Sequence, residues 1–226
     1  MITATELLPE LTVQVRSLIT FCIITNGARQ AKTQREIDSI RAQGEAVEIV
    51  VAGIMPAGGL EDIDKFIAAD FEARKGYLGA MRNAACEAST GDILVVSDDD
   101  MVFHPGFIDG IRQTPDFDAL ACRVLNTDGT RYWDWAICDP KRGQYLIDYT
   151  EKDDFTYITG GIGIYKRYVW HNVKWGQAIA FQAAEDVDFS TRIRAAGYCI
   201  AFTPLCTVTH NDSRYTQQGK WVVKFG

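Results

Sequence analysis

The segment Asp92–Asp100 reads DILVVSDDD and joins a continuous apolar run to a triplet of carboxylates. Its apolar part is typical of a strand that is buried on both faces of a parallel sheet. In open α/β sheets, ligands bind beyond the carboxyl ends of the strands, which is where Asp98, Asp99 and Asp100 lie. The segment therefore predicts a buried strand that delivers three acidic side chains to a ligand site.

Strand-like and helix-like segments alternate on either side of this strand. The predicted strands are Leu18–Thr25, Ala46–Ala52 and Lys65–Phe71, and the predicted helices are Arg29–Gln43 and Tyr77–Ala88. Apolar strands separated by helices are typical of a sheet that is covered on both faces. We therefore predict an α/β fold with a mostly parallel central sheet flanked by helices.

The second half of the chain is less regular. It contains one predicted helix, Ala184–Ala196, and several short strand-like segments, which are Phe117–Leu125, Arg131–Ile137, Cys199–Phe202 and Thr207–Thr209. The segment Tyr157–Ile164 surrounds the pair Gly160–Gly161. A further helix is expected to begin near Pro105. The chain shows no internal repeat, low-complexity tract or linker, and its 226 residues suit one large domain.

Composition and charge exclude several classes of protein. The chain has 23 basic and 30 acidic residues, a net charge of −7, and no basic run, so nucleic-acid binding is not expected. Its six cysteines are scattered without a CxxC pair, which predicts reduced thiols and fits a cytoplasmic location. The segment Met1–Glu6 lacks the features of a signal peptide, and no apolar stretch approaches the roughly 20 residues of a membrane span.

Two later features add to the acidic triplet. Glu185 and Asp186 open a predicted helix, and His210 ends a predicted strand. Each feature alone has an ordinary structural explanation, such as carboxylates that complement a helix dipole or a buried histidine. Together they suit metal-dependent group transfer, in which Asp98 and Asp100 share a hard divalent cation and a separate carboxylate accepts a proton.

With these features the chain resembles the family 2 glycosyltransferases and their relatives with the GT-A fold. The matching landmarks follow the family's order and span most of the chain: Ile23–Asn26, Arg82 and Asn83 within Gly79–Asn83, Gly91–Asp100, Gly160–Gly161, Glu185–Asp186, Arg192, Gly197 and His210. No single motif is specific, but so many in the right order are hard to obtain by chance.

The resemblance implies a single Rossmann-like GT-A domain over residues 1–226. Its donor-binding half would cover about 17–104, its acceptor and catalytic half about 105–210, and a tail 211–226. The implied reaction moves a sugar from a nucleoside-diphosphate sugar, UDP-linked in preference to GDP-linked, to a hydroxyl of an unidentified acceptor. Inversion is expected; a retaining transferase and a non-catalytic nucleotide-sugar binder are the alternatives.

The resemblance also implies roles for individual residues. Asp186 would be the general base with Glu185 beside it. Apart from the resemblance, the aromatic rings of Trp133, Trp135, Trp170 and Trp175 are of a kind that packs against an acceptor sugar, and of these we select Trp175. Mn²⁺ or Mg²⁺ would be held by Asp98, Asp100 and His210. The residues implied in donor binding are Thr25, Asn26, Arg82, Asn83, Asp98, Asp99, Gly160 and Gly161.

One departure from the family pattern concerns the nucleotide base. The family's acidic residue after the second strand is missing from Val50–Met55, so backbone groups or Asp70 would have to replace it. Three other enzyme classes fit less well. A nucleotidyltransferase would need a glycine-rich loop within Ile24–Arg29, a haloacid dehalogenase-type phosphatase would need an aspartate at Asn126, and a dehydrogenase would need a third glycine after Gly161–Gly163.

Overall fold

The computed structural model describes residues 17–181 and 183–212. In chain order the elements are β1 (Ile19–Thr25), α1 (Gln30–Arg41), β2 (Glu48–Gly53), β3 (Lys65–Ala68), α2 (Asp70–Lys75), α3 (Leu78–Ala88), β4 (Ile93–Asp98), β5 (Met101–Phe103), α4 (Phe107–Gln113), β6 (Ala119–Leu125), β7 (Trp135–Asp139), β8 (Gly143–Leu146), β9 (Thr156–Ile158), β10 (Ile162–Lys166), α5 (Arg167–Val173), α6 (Glu185–Ala195) and β11 (Ile200–His210).

Eight of the strands form a central sheet in the order β3-β2-β1-β4-β10-β6-β11-β5. The first four are parallel to one another, and β6 is parallel to β11. Strand β10 is antiparallel to both β4 and β6, and β5 is antiparallel to β11. The predicted α/β fold with a mostly parallel sheet and flanking helices is therefore confirmed.

Alternate side chains of the central strands enter two separate cores. Ile23 of β1 and Val95 of β4 pack on one face with Ile37 of α1. Val96 of β4 packs on the other face, in the same core as Phe189 of α6. Burial on both faces explains why β1, β2 and β4 have nearly continuous apolar sequences.

A second, three-stranded sheet with the order β8-β7-β9 stands beside the central one, and we call it the small sheet. Both of its strand pairs are antiparallel. Its residues Trp135, Ile137 and Ile158 pack into the core that contains α6. The small sheet is therefore fixed against the helix that begins with Glu185.

Four predicted strands are wrong in their extent. Lys65–Phe71 ends early because α2 begins at Asp70. Arg131–Ile137 starts too soon, since the described chain forms only an isolated bridge at Arg131 before β7. The two segments at Cys199–Phe202 and Thr207–Thr209 belong to the single strand β11, which has an irregularity between Thr203 and Thr207.

The six cysteines are all free in the structure. Within the described ranges, no helix is both long and apolar enough to cross a membrane.

Candidate active site

Strand β4 delivers Asp98, Asp99 and Asp100, which we call the acidic turn, to the carboxyl edge of the sheet. Two backbone hydrogen bonds fix the turn from opposite sides. The Asp98 amide donates to the Gly161 carbonyl at 3.0 Å, and the Asn211 amide donates to the Asp100 carbonyl at 2.7 Å. The turn is thereby tied to the loop before β10 and to the residue after β11.

Arg29 compensates two carboxylates of the acidic turn. Its guanidinium donates to Asp100 Oδ2 at 2.5 Å and to Asp99 Oδ1, and it lies 3.5 Å from Asp212. Thr25 also donates to Asp99, with 2.5 Å between the oxygens. Arg29 keeps 28% of its side chain exposed while the Asp99 side chain keeps 1%. A cation with access to solvent therefore stands directly over the acidic turn.

Glu36 of α1 binds both ends of the acidic turn from the protein interior. It is fully buried in α1, accepts a hydrogen bond from Ser97 Oγ at 2.6 Å, and accepts another from the Met101 amide at 3.2 Å. Burial raises its pKa well above the ordinary value. Ser97 and Met101 are the residues on either side of the turn, so one buried carboxyl group holds both of its ends.

Arg82 of α3 joins the acidic turn to the start of α6. It is completely buried, and its guanidinium donates to Asp98 Oδ1 at 3.0 Å, to Glu185 Oε1 at 3.1 Å and to the Gly160 carbonyl at 2.7 Å. The two carboxylates raise its pKa against the opposing effect of burial. The Trp175 ring lies 4.6 Å from its central carbon. The guanidinium of Arg82 therefore makes these contacts in the protein interior, away from solvent.

Asp98 remains the most accessible carboxylate of the acidic turn, with 30% of its side chain exposed. Loss of hydration is nevertheless the largest influence on it and raises its pKa to about 7. The charge of Arg82 opposes this shift, and the charge of Asp100 adds to it.

Asp186 is held by uncharged groups instead of by an arginine. Its carboxylate accepts a hydrogen bond from the Gly160 amide at 3.0 Å and another from the Val187 amide at 2.9 Å. Burial is the main cause that raises its pKa to about 6, and the charge of Glu185 adds to it. A carboxylate with a pKa close to the working pH suits the acceptance of a proton.

Gly160 and Gly161 leave room for these contacts. A Cβ atom on Gly160 would lie 3.2 Å from Glu185 Oε1, and one on Gly161 would lie 2.7 Å from the Met101 side chain. Larger residues would therefore displace either the start of α6 or the residue that follows the acidic turn.

His210 stands at the end of β11 next to the acidic turn. Its Nε2 atom is 3.6 Å from Asp100 Oδ1, and its ring stacks on Tyr132 with 4.4 Å between centroids. Burial lowers the pKa of the imidazole, which favours the neutral form that ligates metals. In the described part of the chain, no three acidic, histidine or cysteine side chains already converge as a metal cluster. The donors of Asp98, Asp100 and His210 nevertheless have the oxygen and imidazole chemistry that suits Mg²⁺ or Mn²⁺.

Three other residues predicted for the site, Asn26, Asn83 and Trp175, make their contacts with other parts of the protein or are buried in it. Asn26 is exposed, and its side-chain oxygen accepts a hydrogen bond from the Ala28 amide at 3.0 Å. Asn83 bonds with Trp175 and with Trp170, so its amide joins α3 to the segment around α5. Trp175 is only 4% exposed.

Sequence reasoning missed Arg29 and Glu36. Glu36 could have been found, because it shares the buried stripe of α1 with Thr33, Ile37 and Ile40 at helical spacing. A carboxyl group on such a stripe needs a buried partner. No comparable local signal marks Arg29, whose partners lie about 70 residues away in the sequence.

Solved structures share this architecture. One is GalNAc-T7 with UDP, GalNAc and Mn²⁺, at a TM-score of 0.66 and 14% identity, covering 87% of this chain and 44% of that one. Another is S. aureus TarS 1-349 in complex with UDP-GlcNAc, at a TM-score of 0.59 and 14% identity; the match covers 91% of this chain and 62% of that one. The fold is therefore that of the GT-A glycosyltransferases.

The sequence comparisons identify the family. Residues 66–221 match the family described as glycosyltransferase like family 2, so the chain belongs to that family of sugar-transferring enzymes. An uncharacterized glycosyltransferase, YwdF of Bacillus subtilis (strain 168), is 28% identical over 158 residues. That match covers 67% of this chain and 54% of YwdF, so the chain spans about half the length of this relative.

Proposed function

We propose that the protein transfers a sugar from a nucleoside-diphosphate sugar, UDP-linked in preference to GDP-linked, to an acceptor hydroxyl with inversion. The observation that carries the proposal is the triple contact of Arg82 with Asp98, Glu185 and the Gly160 carbonyl. It places the acidic turn beside Asp186, which Gly160 also binds. A donor-holding group and a proton acceptor therefore share one edge of the sheet.

Asp186 acts as the general base. It takes the proton of the acceptor hydroxyl while the acceptor oxygen forms a bond to the anomeric carbon of the sugar. The bond from that carbon to the diphosphate oxygen breaks, and its electron pair leaves with the diphosphate. Because attack comes from the side opposite the leaving group, the anomeric configuration inverts.

The acidic turn and its arginines hold the donor. Asp98, Asp100 and His210 would hold Mn²⁺ or Mg²⁺, which when bound neutralises charge on the diphosphate. Arg29 keeps part of its guanidinium side chain exposed at this edge and would bind the diphosphate, whereas the buried Arg82 positions Asp98 and Glu185. The Mn²⁺ and UDP of the GalNAc-T7 structure support a metal and a uridine donor in this fold.

A panel of UDP- and GDP-sugars, each with Mn²⁺, Mg²⁺ or EDTA, tests the function through nucleotide release. We expect one donor to be cleaved in the presence of metal and not in EDTA. Thermal stability with UDP or GDP should be followed in parallel. Stabilisation without release from any donor would favour a non-catalytic binder, and the absence of both would contradict the proposal.

A further inference from the structure

The two faces of the small sheet differ in character. Directly paired residues of neighbouring antiparallel strands share a face. The pairs Ala136–Tyr157 and Cys138–Gln144 therefore lie on one face, and Trp135–Ile158 lies on the other. Trp135 and Ile158 pack into the protein core. We call the face with Cys138, Gln144 and Tyr157 the outer face, because Cys138 and Gln144 are half-buried there, although Tyr157 itself is buried.

The outer face lies beside Asp186. Continuing the Trp135–Ile158 register by two residues sets Trp133 opposite Gly160, whose amide binds Asp186. The Trp133 carbonyl accepts a hydrogen bond from Thr159 Oγ1 at 3.1 Å, which confirms this alignment. The charge of Asp186 also adds to the effect of burial in raising the pKa of Tyr157.

The side chains of the outer face are fixed and uncharged. Trp133 precedes β7, so its side chain does not follow the alternation of that strand and does not share the face of Trp135. Its indole nitrogen donates to the Tyr157 hydroxyl at 2.6 Å, and the Gln144 amide donates to the same oxygen. Trp133 and Gln144 are half-buried, so both retain surface toward solvent, in contrast to the buried Trp175. An aromatic ring beside an amide offers an apolar surface and a polar group together.

We propose that Trp133 and Gln144 form the acceptor subsite and bind an uncharged sugar ring, with its reacting hydroxyl directed at Asp186. The inference rests on the proposed function, and names the acceptor class for the same site. The indole packs against the C–H face of the ring, and Gln144 contacts its hydroxyl groups. Because these side chains and Tyr157 carry no charge, a neutral saccharide fits them better than an anionic acceptor does.

The test measures how p-nitrophenyl glycosides of glucose, galactose, mannose and N-acetylglucosamine accelerate nucleotide release from the donor. We expect at least one glycoside to accelerate release by the wild type. Trp133→Ala and Gln144→Ala should each raise KM for that glycoside about tenfold, the loss expected for one aromatic or hydrogen-bonding contact. A thermal unfolding midpoint close to that of the wild type should show that both variants are folded, so that a raised KM reports the lost contact.

Tyr145→Ala is the matched control. Tyr145 follows Gln144 in β8, points to the opposite face, and is 40% exposed. Its loss should leave the KM for the glycoside unchanged. Trp133→Phe, which keeps a ring, should recover most of the affinity that Trp133→Ala loses.

Three outcomes would overturn the inference. The first is an unchanged KM in both Trp133→Ala and Gln144→Ala, and the second is an equal loss in Tyr145→Ala. The third is donor hydrolysis that no glycoside accelerates, which rejects a neutral sugar acceptor while leaving the proposed function intact. Failure of the proposed function itself would appear differently, as no nucleotide release from any donor.

Discussion

The acidic turn and the start of α6 each bring carboxylates to the same edge of the sheet, but their electrostatic surroundings differ. Asp99 and Asp100 are bound by Arg29, and Asp98 by Arg82. Among the described residues, Asp186 accepts hydrogen bonds only from the backbone amides of Gly160 and Val187. A nearby guanidinium favours the ionised carboxylate, but burial outweighs this effect at Asp98 and raises its pKa to about 7, so the two regions differ in their bonding partners and not in the direction of their pKa shifts.

This difference separates binding from proton transfer. Carboxylates that already bind guanidinium cations are suited to hold a further cation, and a carboxylate bound by backbone amides with a pKa of about 6 is suited to accept a proton at neutral pH. The comparison predicts that substitutions in the two regions will alter different kinetic constants.

The largest expected effect follows from exchanging one carboxylate in each region. Asp186→Asn should lower kcat by about 10²–10⁴-fold, because the acceptor hydroxyl loses its general base, while the affinity for the donor nucleotide is retained. Asp100→Asn should instead weaken metal-dependent nucleotide binding. Initial rates and calorimetric titration of UDP with Mn²⁺ measure the two constants separately.

Asp188→Asn is the control for this pair. Asp188 lies in the same first turn of α6 but forms an exposed pair with Arg192. It should leave kcat within about twofold, as expected for a surface pair. Wild-type transfer by Asp186→Asn would show that the base is another residue.

Removal of Arg82 should disturb both regions at once. Arg82→Met leaves the buried Glu185 and the partly exposed Asp98 without their shared cation, and loss of one partner of a buried ion pair typically costs about 3–5 kcal/mol of unfolding free energy. Activity should be lost as well. Urea denaturation measures the stability, and Glu87→Gln, which breaks an exposed pair with Lys174, should cost less than about 1 kcal/mol. Equal costs in the two variants would contradict the central position given to Arg82.

The pH dependence of kcat tests the raised pKa of Asp186. The base must be deprotonated to act, so at a metal concentration that keeps Asp98 ionised kcat should fall about tenfold per pH unit below about 6. Glu185 raises this pKa and Arg82 opposes the rise, so their charges help set the midpoint. The residual activity of Asp186→Asn should lack this acidic limb, and a limb that persists there belongs to another group.

The smallest expected effect concerns the backbone conformation of Ala184, the residue just before α6. Ala184 has a φ of +59°, in the left-handed region that costs a residue with a Cβ about 1–2 kcal/mol. Ala184→Gly removes this cost, although glycine also gains freedom in the unfolded chain. The free energy of unfolding of Ala184→Gly should therefore exceed that of Ala183→Gly by about 1 kcal/mol, because Ala183→Gly relieves no such strain. Thermal unfolding compares the two variants, and equal stabilities would argue against strain at Ala184.

Local patterns account for what could be predicted from the sequence. The apolar run before Asp98 marked β4 and the edge on which its carboxylates lie, since burial on both faces leaves a direct trace in the residue types. The helix at Glu185 was equally clear. Both features depend on neighbours along the chain.

The remaining features depend on partners distant in sequence. The hydrogen bonds of Arg29 to the acidic turn span 70 and 71 residues, and no sequence pattern near Arg29 indicates them. Trp133 was predicted inside a strand because its neighbours are aromatic, yet β7 begins only at Trp135. Aromatic residues favour a strand locally, but pairing with β9 sets where this one begins.

The contact of Arg82 with Glu185 joins residues 103 positions apart, a separation that matters for folding as well as for chemistry. Contacts of such long range form late, because the entropy of closing the intervening loop must first be overcome. A nascent chain that has not yet reached Glu185 can pair Arg82 with Asp98 but has no proton acceptor. Competence for sugar transfer would therefore arise among the last events of folding, when α6 docks.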